Sequence, residues 1–551
     1  MKQFMAKIFV SLLIAGLVSS CSEDALREYD SLQQKDAVES LNDPFLLSSI
    51  IKKTTLFYAN QGYSESRLPG AVQYMERNYQ GGDNYYDGFK QPITKMYDAM
   101  DIIKFIDASI QLTEGRNSKV HAGIFTIFRV LLFSYMTDYY GDVYYTEALK
   151  GREGILYPKY DKQADIYTGL LGELENATNL ISEGSESISS TYDLMYTGDK
   201  AKWLKFANSV RLRLLMRASA KLSDAGNQMT TIVGNGSANP VFSSVDDNAA
   251  ISFVGTNKDN SWAGGTLNWP SPDEFDRRRP CKTLVDTLTV LNDPRLAVWC
   301  APVEQPWTSN PALDGVSFTT ADPNGFTYSS TWEYVDMGNP EIAAQSANIL
   351  DKDKAYVGFI AGMPGDWKNG NGHYNTAAGG TFGNFKVSKF SALFRQNEHD
   401  LLKATIMNSD EVQFILAEAA AKGLISGDAN TYYRAGITQS MKRWGIADAA
   451  ISTYLAQASI ALPSTQSGKL EKIAVQKWLA LFTVTAETYL DLRRTRLPDI
   501  FDNGYLSNYQ FPVRFRYPGD ELGQNVDAYN AGVATLSPAE DTQYSKMWLL
   551  Q

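Results

Sequence analysis

The chain has 551 residues, 44% of them hydrophobic and 21% charged, which excludes a disordered protein and exceeds the usual size of one core. A net charge of -11 argues against nucleic acid as a partner, because the phosphate backbone repels an acidic surface. Aromatic residues reach 12%, with 31 tyrosines and 10 tryptophans, more than a core alone requires.

The N-terminus opens with Lys2 and Lys7, then an apolar run from Ile8 to Val18. That run is too short to span a bilayer, which takes about 20 residues. Val18-Ser19-Ser20-Cys21 follows and resembles the lipobox of bacterial lipoproteins, in which the cysteine is acylated and becomes the first mature residue. Residues 1–20 then form a signal peptide, Cys21 is the lipidation site, and 21–44 form a tether that leaves the protein anchored without crossing the membrane. Ser22-Glu23-Asp24 is similar to the export signal of surface-exposed lipoproteins of Bacteroidetes. An ordinary secretory signal with a chance cysteine is the competing reading.

Residues 45–233 read as the first part of a helical scaffold. Apolar stripes at helical spacing predict helices over Ile93–Leu112, Val120–Tyr139, Lys162–Ser182 (capped by Asp161) and Lys200–Leu222. Between the second and third, TDYYGDVYYTEAL places Gly141 as a helix breaker and tyrosines in an apparently exposed loop. Residues 406–551 read as the second part. Asn408 with Glu411 has the pattern of a capping box, Gly423 stops that helix, and Asp428 caps the next. Ala417, Ala419, Ala420 and Ala421 allow close helix approach, and a pair of this kind needs neighbouring hairpins to bury both faces. One more helix is expected over Lys469–Leu492, followed by a tail that packs back. No transmembrane run is read after the signal. The fold class is therefore mostly α, a tetratricopeptide-like helical-hairpin scaffold.

Residues 234–405 differ: helical periodicity fades, and Gly, Pro, Asn and Ser punctuate short runs. A long irregular insertion of this kind is a candidate ligand region. Trp262, Trp269, Trp307, Trp332 and Trp367 lie there beside Gly, Asn, Asp and Ser, the setting in which an indole covers the apolar face of a pyranose while amides and carboxylates take its hydroxyls. Tyr79, Tyr85 and Tyr86 form a second loop cluster, and His373 is a further candidate contact. Each indole equally well pins its own loop. Trp203, Trp444 and Trp478 fall on helical stripes and are assigned to the core, as is His121. Cys281 and Cys300 are the other cysteines, and spacing leaves their pairing open. Acidic pairs such as Asp246-Asp247 and Asp351/Asp353 are assigned to solvated surface. No catalytic motif stands in a supporting context, so no catalytic residue is assigned. No metal ligands are assigned either, and whether a calcium ion orders a loop is left open.

A series of stretches gives the chain a family likeness: SYMTDYYGDVYYTEAL, YPKYDKQADIYTGLLGELENA, YTGDKAKWLKFANSVRLRLLMRAS, NDPRL, SDEVQFILAEAAAKG, KIAVQKWLALF with DLRRTRLP, and FPVRFRYPGDE with a later YN. Their order resembles the SusD/RagB outer-membrane lipoproteins of Bacteroidetes, in the SusD-like branch. The resemblance implies a non-catalytic, surface-exposed lipoprotein that binds glycan oligosaccharides and acts as a lid on a SusC-like TonB-dependent transporter. Peptide cargo on the same architecture is one alternative, and a secreted α-helical glycoside hydrolase is another. The shared motifs are scaffold motifs, so no family binding residue is carried onto the loops.

Overall fold

The computed structural model describes residues 41–62, 67–77, 86–90, 95–271, 275–336, 338, 351–362, 386–499, 501, 506 and 509–551. The proposed signal peptide, Cys21 and most of the tether lie outside them, as do Tyr79, Tyr85, Trp367 and His373.

Helices dominate. We number the scaffold helices α1 (Asp43–Gly62), α2 (Lys95–Gly115), α3 (Lys119–Tyr140), α4 (Gln163–Glu183), α5 (Lys200–Arg217), α6 (Ser409–Ala421), α7 (Ala429–Arg443), α8 (Gln466–Ala480) and α9 (Thr485–Thr495). Each of α2 to α5 packs on the next, and α6 and α7 form a hairpin that packs on α8. This is the expected stack of hairpins. Close approach inside it depends on glycine: a Cβ on Gly436 of α7 would meet the Phe414 ring of α6 at 2.8 Å, and one on Gly123 of α3 would meet the Ala177 carbonyl of α4 at 2.8 Å. Helix α3 is long and apolar enough to cross a bilayer, yet almost all of it is buried inside the protein, where it serves as the central core helix.

The two scaffold parts share one core and one buried charge network. Arg217 of α5 pairs with Asp138 of α3 and with Glu487 of α9. Arg213 donates to Glu411 of α6 at 2.7 Å and 2.6 Å and lies 3.4 Å from Glu487. Tyr167 of α4 donates to Asp138 at 2.5 Å. Charges this deep persist because each is paired; removing one partner strands the others. Burial pushes the carboxyls of Asp138 and Glu411 upward, and the facing arginines oppose that shift.

Several local expectations are corrected. Asn408 occupies the N-cap position of α6, but its side chain makes no capping bond, and the Glu411 carboxylate is taken by buried Arg213. A full charge opposite a carboxylate outcompetes a backbone N–H for it. Lys162, rather than Asp161, precedes α4, and Asp161 instead accepts from the backbone N–H groups of Tyr145 and Thr146 at 3.0 Å and 2.7 Å. The expected Lys469–Leu492 helix is two helices, α8 and α9, separated by a turn at 481–484. Tyr139, Tyr140 and Tyr144 are buried, not exposed. The tail covers them: Phe515 stacks on Tyr139 at 4.6 Å, and Tyr517 donates to the Asp142 carbonyl at 2.8 Å. Gly141, at φ +95°, ends α3 beneath this lid of rings. Asp428 caps α7 as expected, accepting from the N–H groups of Asn430 and Thr431. Cys281 and Cys300 are both free and buried.

The insertion holds short elements: helices Lys282–Val290 and Arg295–Trp299, and two-stranded pairings. Ala249–Ser252 pairs antiparallel with Lys403–Met407, and the latter strand packs against α1, tying both ends of the insertion to the scaffold. A small satellite core of Val303, Val357, Phe359, Ile360 and Val387 supports its outer part.

Candidate ligand-binding site

Two strand pairings gather the aromatic residues of the insertion. Trp307–Thr308 pairs in parallel with Glu333–Tyr334, with Trp307 opposite Glu333. Ser317–Ala321 and Thr327–Thr331 form an antiparallel hairpin of β-branched and hydroxyl residues. Asp322 closes its turn by accepting from the N–H groups of Asn324 at 2.9 Å and Phe326 at 3.0 Å. Trp332 leads out of this hairpin into the strand beside Trp307, and its backbone N–H donates to the Val316 carbonyl at 3.0 Å. Phe318 lies across the hairpin and stacks on the Trp332 ring at 5.4 Å.

Phe318 and Trp332 thus form a half-buried stacked pair, while half-buried Trp307 and Tyr334, which is 36% exposed, stand on the neighbouring strands, Trp307 on the face of Glu333 and so opposite to Trp332 and Tyr334. The polar groups come from the same strands. Asp353 accepts from Thr308 Oγ1 at 2.8 Å and Ser309 Oγ at 2.7 Å, and Asp314 accepts from the Tyr334 N–H at 2.9 Å. Burial raises the Asp353 carboxyl, but these donors outweigh it and hold the group below its ordinary value. Lys386 Nζ sits 3.7 Å from the centre of the Trp307 ring and also pairs with Glu333. Burial lowers the Lys386 ammonium more than Glu333 raises it. The cation braces the Trp307 ring, which remains half-buried.

The other candidates sit elsewhere. Trp262 is 3% exposed, with Phe253 edge-on at 5.8 Å and Phe394 tilted at 6.2 Å, so it pins its loop and offers a ligand no open face. Trp269 is half-buried beneath the Arg278 guanidinium at 3.8 Å, while its carbonyl accepts from Arg395 at 2.6 Å. Tyr86 is buried with its ring edge-on to Phe511 at 5.4 Å, and burial pushes its hydroxyl up to about 12. The core assignments of Trp203, Trp444, Trp478 and His121 agree with their burial; Trp478 donates to the Val72 carbonyl at 3.0 Å.

Asp247 is buried beside Lys205, and Asp351 pairs with Lys282 and Lys354, so neither belongs to a solvated surface. Among the described residues, no group of three or more His, Cys, Asp or Glu side chains is placed to hold a metal ion. Sequence reasoning passed over Phe318, Tyr334 and Lys386. The first two stand in aromatic-rich stretches and were within reach; Lys386, remote in sequence from Trp307, carries no local signal.

A family model described as starch-binding and associating with the outer membrane matches residues 35–330 and 352–518. Two SusD homologues of Bacteroides fragilis superpose with TM-scores of 0.71 and 0.70 at 20% identity, over 92% and 93% of this chain and 100% of theirs. A chitin-binding protein superposes with a TM-score of 0.67 at 22% identity, over 93% of this chain and 100% of its own. No curated protein matches the sequence significantly. At these identities the structural likenesses establish the fold.

Proposed function

The chain belongs to the SusD-like family of starch-binding proteins that associate with the outer membrane, and on that premise we propose that it captures an oligosaccharide at the cell surface and passes it, chemically unaltered, to a SusC-like TonB-dependent transporter. In this reading a lipid on Cys21 holds the protein at the membrane, and the helical hairpins form the body of a lid. The observation that carries it is the stacked Phe318–Trp332 pair, short of full burial, on strands that also bring half-buried Trp307 and exposed Tyr334. Flat rings beside hydroxyl and carboxylate groups suit a pyranose, whose C–H face is apolar and whose edge is a belt of hydroxyls.

A shallow stack of this kind binds modestly, so enclosure between lid and transporter supplies the remaining affinity. Trp269 contributes a secondary contact in this scheme; Trp262 and Tyr86 shape their loops instead. Affinity electrophoresis in gels containing starch or soluble chitin tests the assignment. Retention is expected with one of them and is reduced by Trp307→Ala and Trp332→Ala. Retention unchanged in both variants removes the site, and release of reducing sugar by the purified protein overturns binding without chemistry.

A further inference from the structure

A second concavity lies in the helical scaffold, among residues that the loop patch does not use. It is a cleft of about 550 Å³ between α8, α9, the turn after α5 and the C-terminal segment. That volume falls in the range of small-molecule sites, about 300–1,000 Å³.

Its charge is opposite to that of the protein as a whole. Eight Lys and Arg residues line it against two carboxylate side chains, Glu418 and Asp491, in a chain of net charge -11. The two carboxylates are already engaged: Glu418 takes Arg494 through both oxygens at 2.7 Å and 2.8 Å and Lys422 at 2.6 Å, and Asp491 takes Lys477 and Arg494. Lys221, Arg496 and Lys546 have no carboxylate within ion-pair distance among the described residues. They come from three separate elements, and all three line the cleft. Arg496 is fixed there by a left-handed backbone at φ +58° and by the Phe511 ring, 5.3 Å from its guanidinium carbon.

Deeper in, donors again outnumber acceptors: the Nε–H groups of Arg217, Arg493 and Arg494 have no partner among the described residues. Low-dielectric walls focus such a field on whatever occupies the cleft. Leu470, Ile473, Leu497 and Leu550 give the cleft an apolar side as well, which a bare inorganic ion would leave unused.

We propose that this scaffold cleft binds a small organic anion, of the size and chemistry of a short acidic oligosaccharide, with its carboxylates against Lys221, Arg496 and Lys546 and its apolar face against the leucine side. The site is independent of the loop patch.

Titration calorimetry of the full chain with trigalacturonic acid, and with maltotriose as the neutral control, tests this. The acid binds, and raising NaCl from about 50 to about 500 mM weakens it severalfold. The triple variant Lys221→Gln, Arg496→Gln, Lys546→Gln loses about tenfold or more in affinity, whereas Trp307→Ala leaves it unchanged. No heat with trigalacturonic acid overturns the proposal. So does an affinity unchanged in the triple variant, a loss caused by Trp307→Ala instead, or an equal response to maltotriose. Because the three side chains make no ion pair among the described residues, the triple variant is expected to keep its melting temperature. Should it fail to fold, Lys546→Gln alone, at an exposed position, supplies the same readout with a loss of about threefold.

Discussion

The helical scaffold and the insertion use charged and aromatic residues in opposite ways. In the scaffold, Asp138, Arg213, Arg217, Glu411 and Glu487 are buried and held by one another, and Tyr139, Tyr489 and Phe515 stack face to face. In the insertion, Trp307 and Trp332 are only half-buried, and their neighbours Lys386 and Phe318 each cover one side. The difference teaches where energy is stored. A ring or charge surrounded on every side stabilises the fold, whereas a half-buried ring keeps surface in contact with solvent.

The largest expected effect follows from breaking the buried network. Arg217→Ala leaves Asp138 and Glu487 facing each other without their shared cation, so unfolding in urea should show a loss of about 3–5 kcal/mol. Next comes Glu418. Burial alone would raise its carboxyl, but Arg494, with Lys422 and Lys477, holds it well below the usual range. Its contribution is thus complete above the unfolded value of about 4.3 and disappears as pH falls below it. Melting curves should drop steadily in that acid window, and Glu418→Gln should flatten the drop while costing about 2–3 kcal/mol at pH 7.

Gly436→Val forces a side chain into the Phe414 ring and should cost about 1–3 kcal/mol by thermal melting. The smallest change in stability is expected in the insertion. Trp332→Ala should weaken glycan retention about tenfold, some 1.4 kcal/mol, while the melting temperature moves little. A Trp332→Ala protein that melts like a core variant would erase the contrast between the two regions. Tyr334→Ala, at the exposed edge, should weaken retention only a few-fold.

Much of the scaffold was legible because helical periodicity is a local property. The stripes over Val120–Tyr139 and Lys200–Leu222 placed α3 and α5 within a few residues, and Asp428 marked its cap correctly. The failures share a cause. Glu411 was assigned to its own helix end, but Arg213, distant in sequence, claimed its carboxylate. The tyrosines around Gly141 looked exposed because nothing nearby in sequence covers them; Phe515 and Tyr517 do.

The candidate site divides in the same manner. Composition picked out the loop tryptophans as a group, yet it could not separate Trp262, enclosed by Phe253 and Phe394, from Trp307 and Trp332, which stay half-buried. By itself the sequence determined the class of fold, the hairpin order and the family to which they lead, since each of these follows from patterns written along the chain. Only the tertiary structure decided which rings stay half-buried and where, among the described residues, cations without an ion pair line a cleft. Exposure and ion pairing depend on residues hundreds of positions apart, brought together by packing.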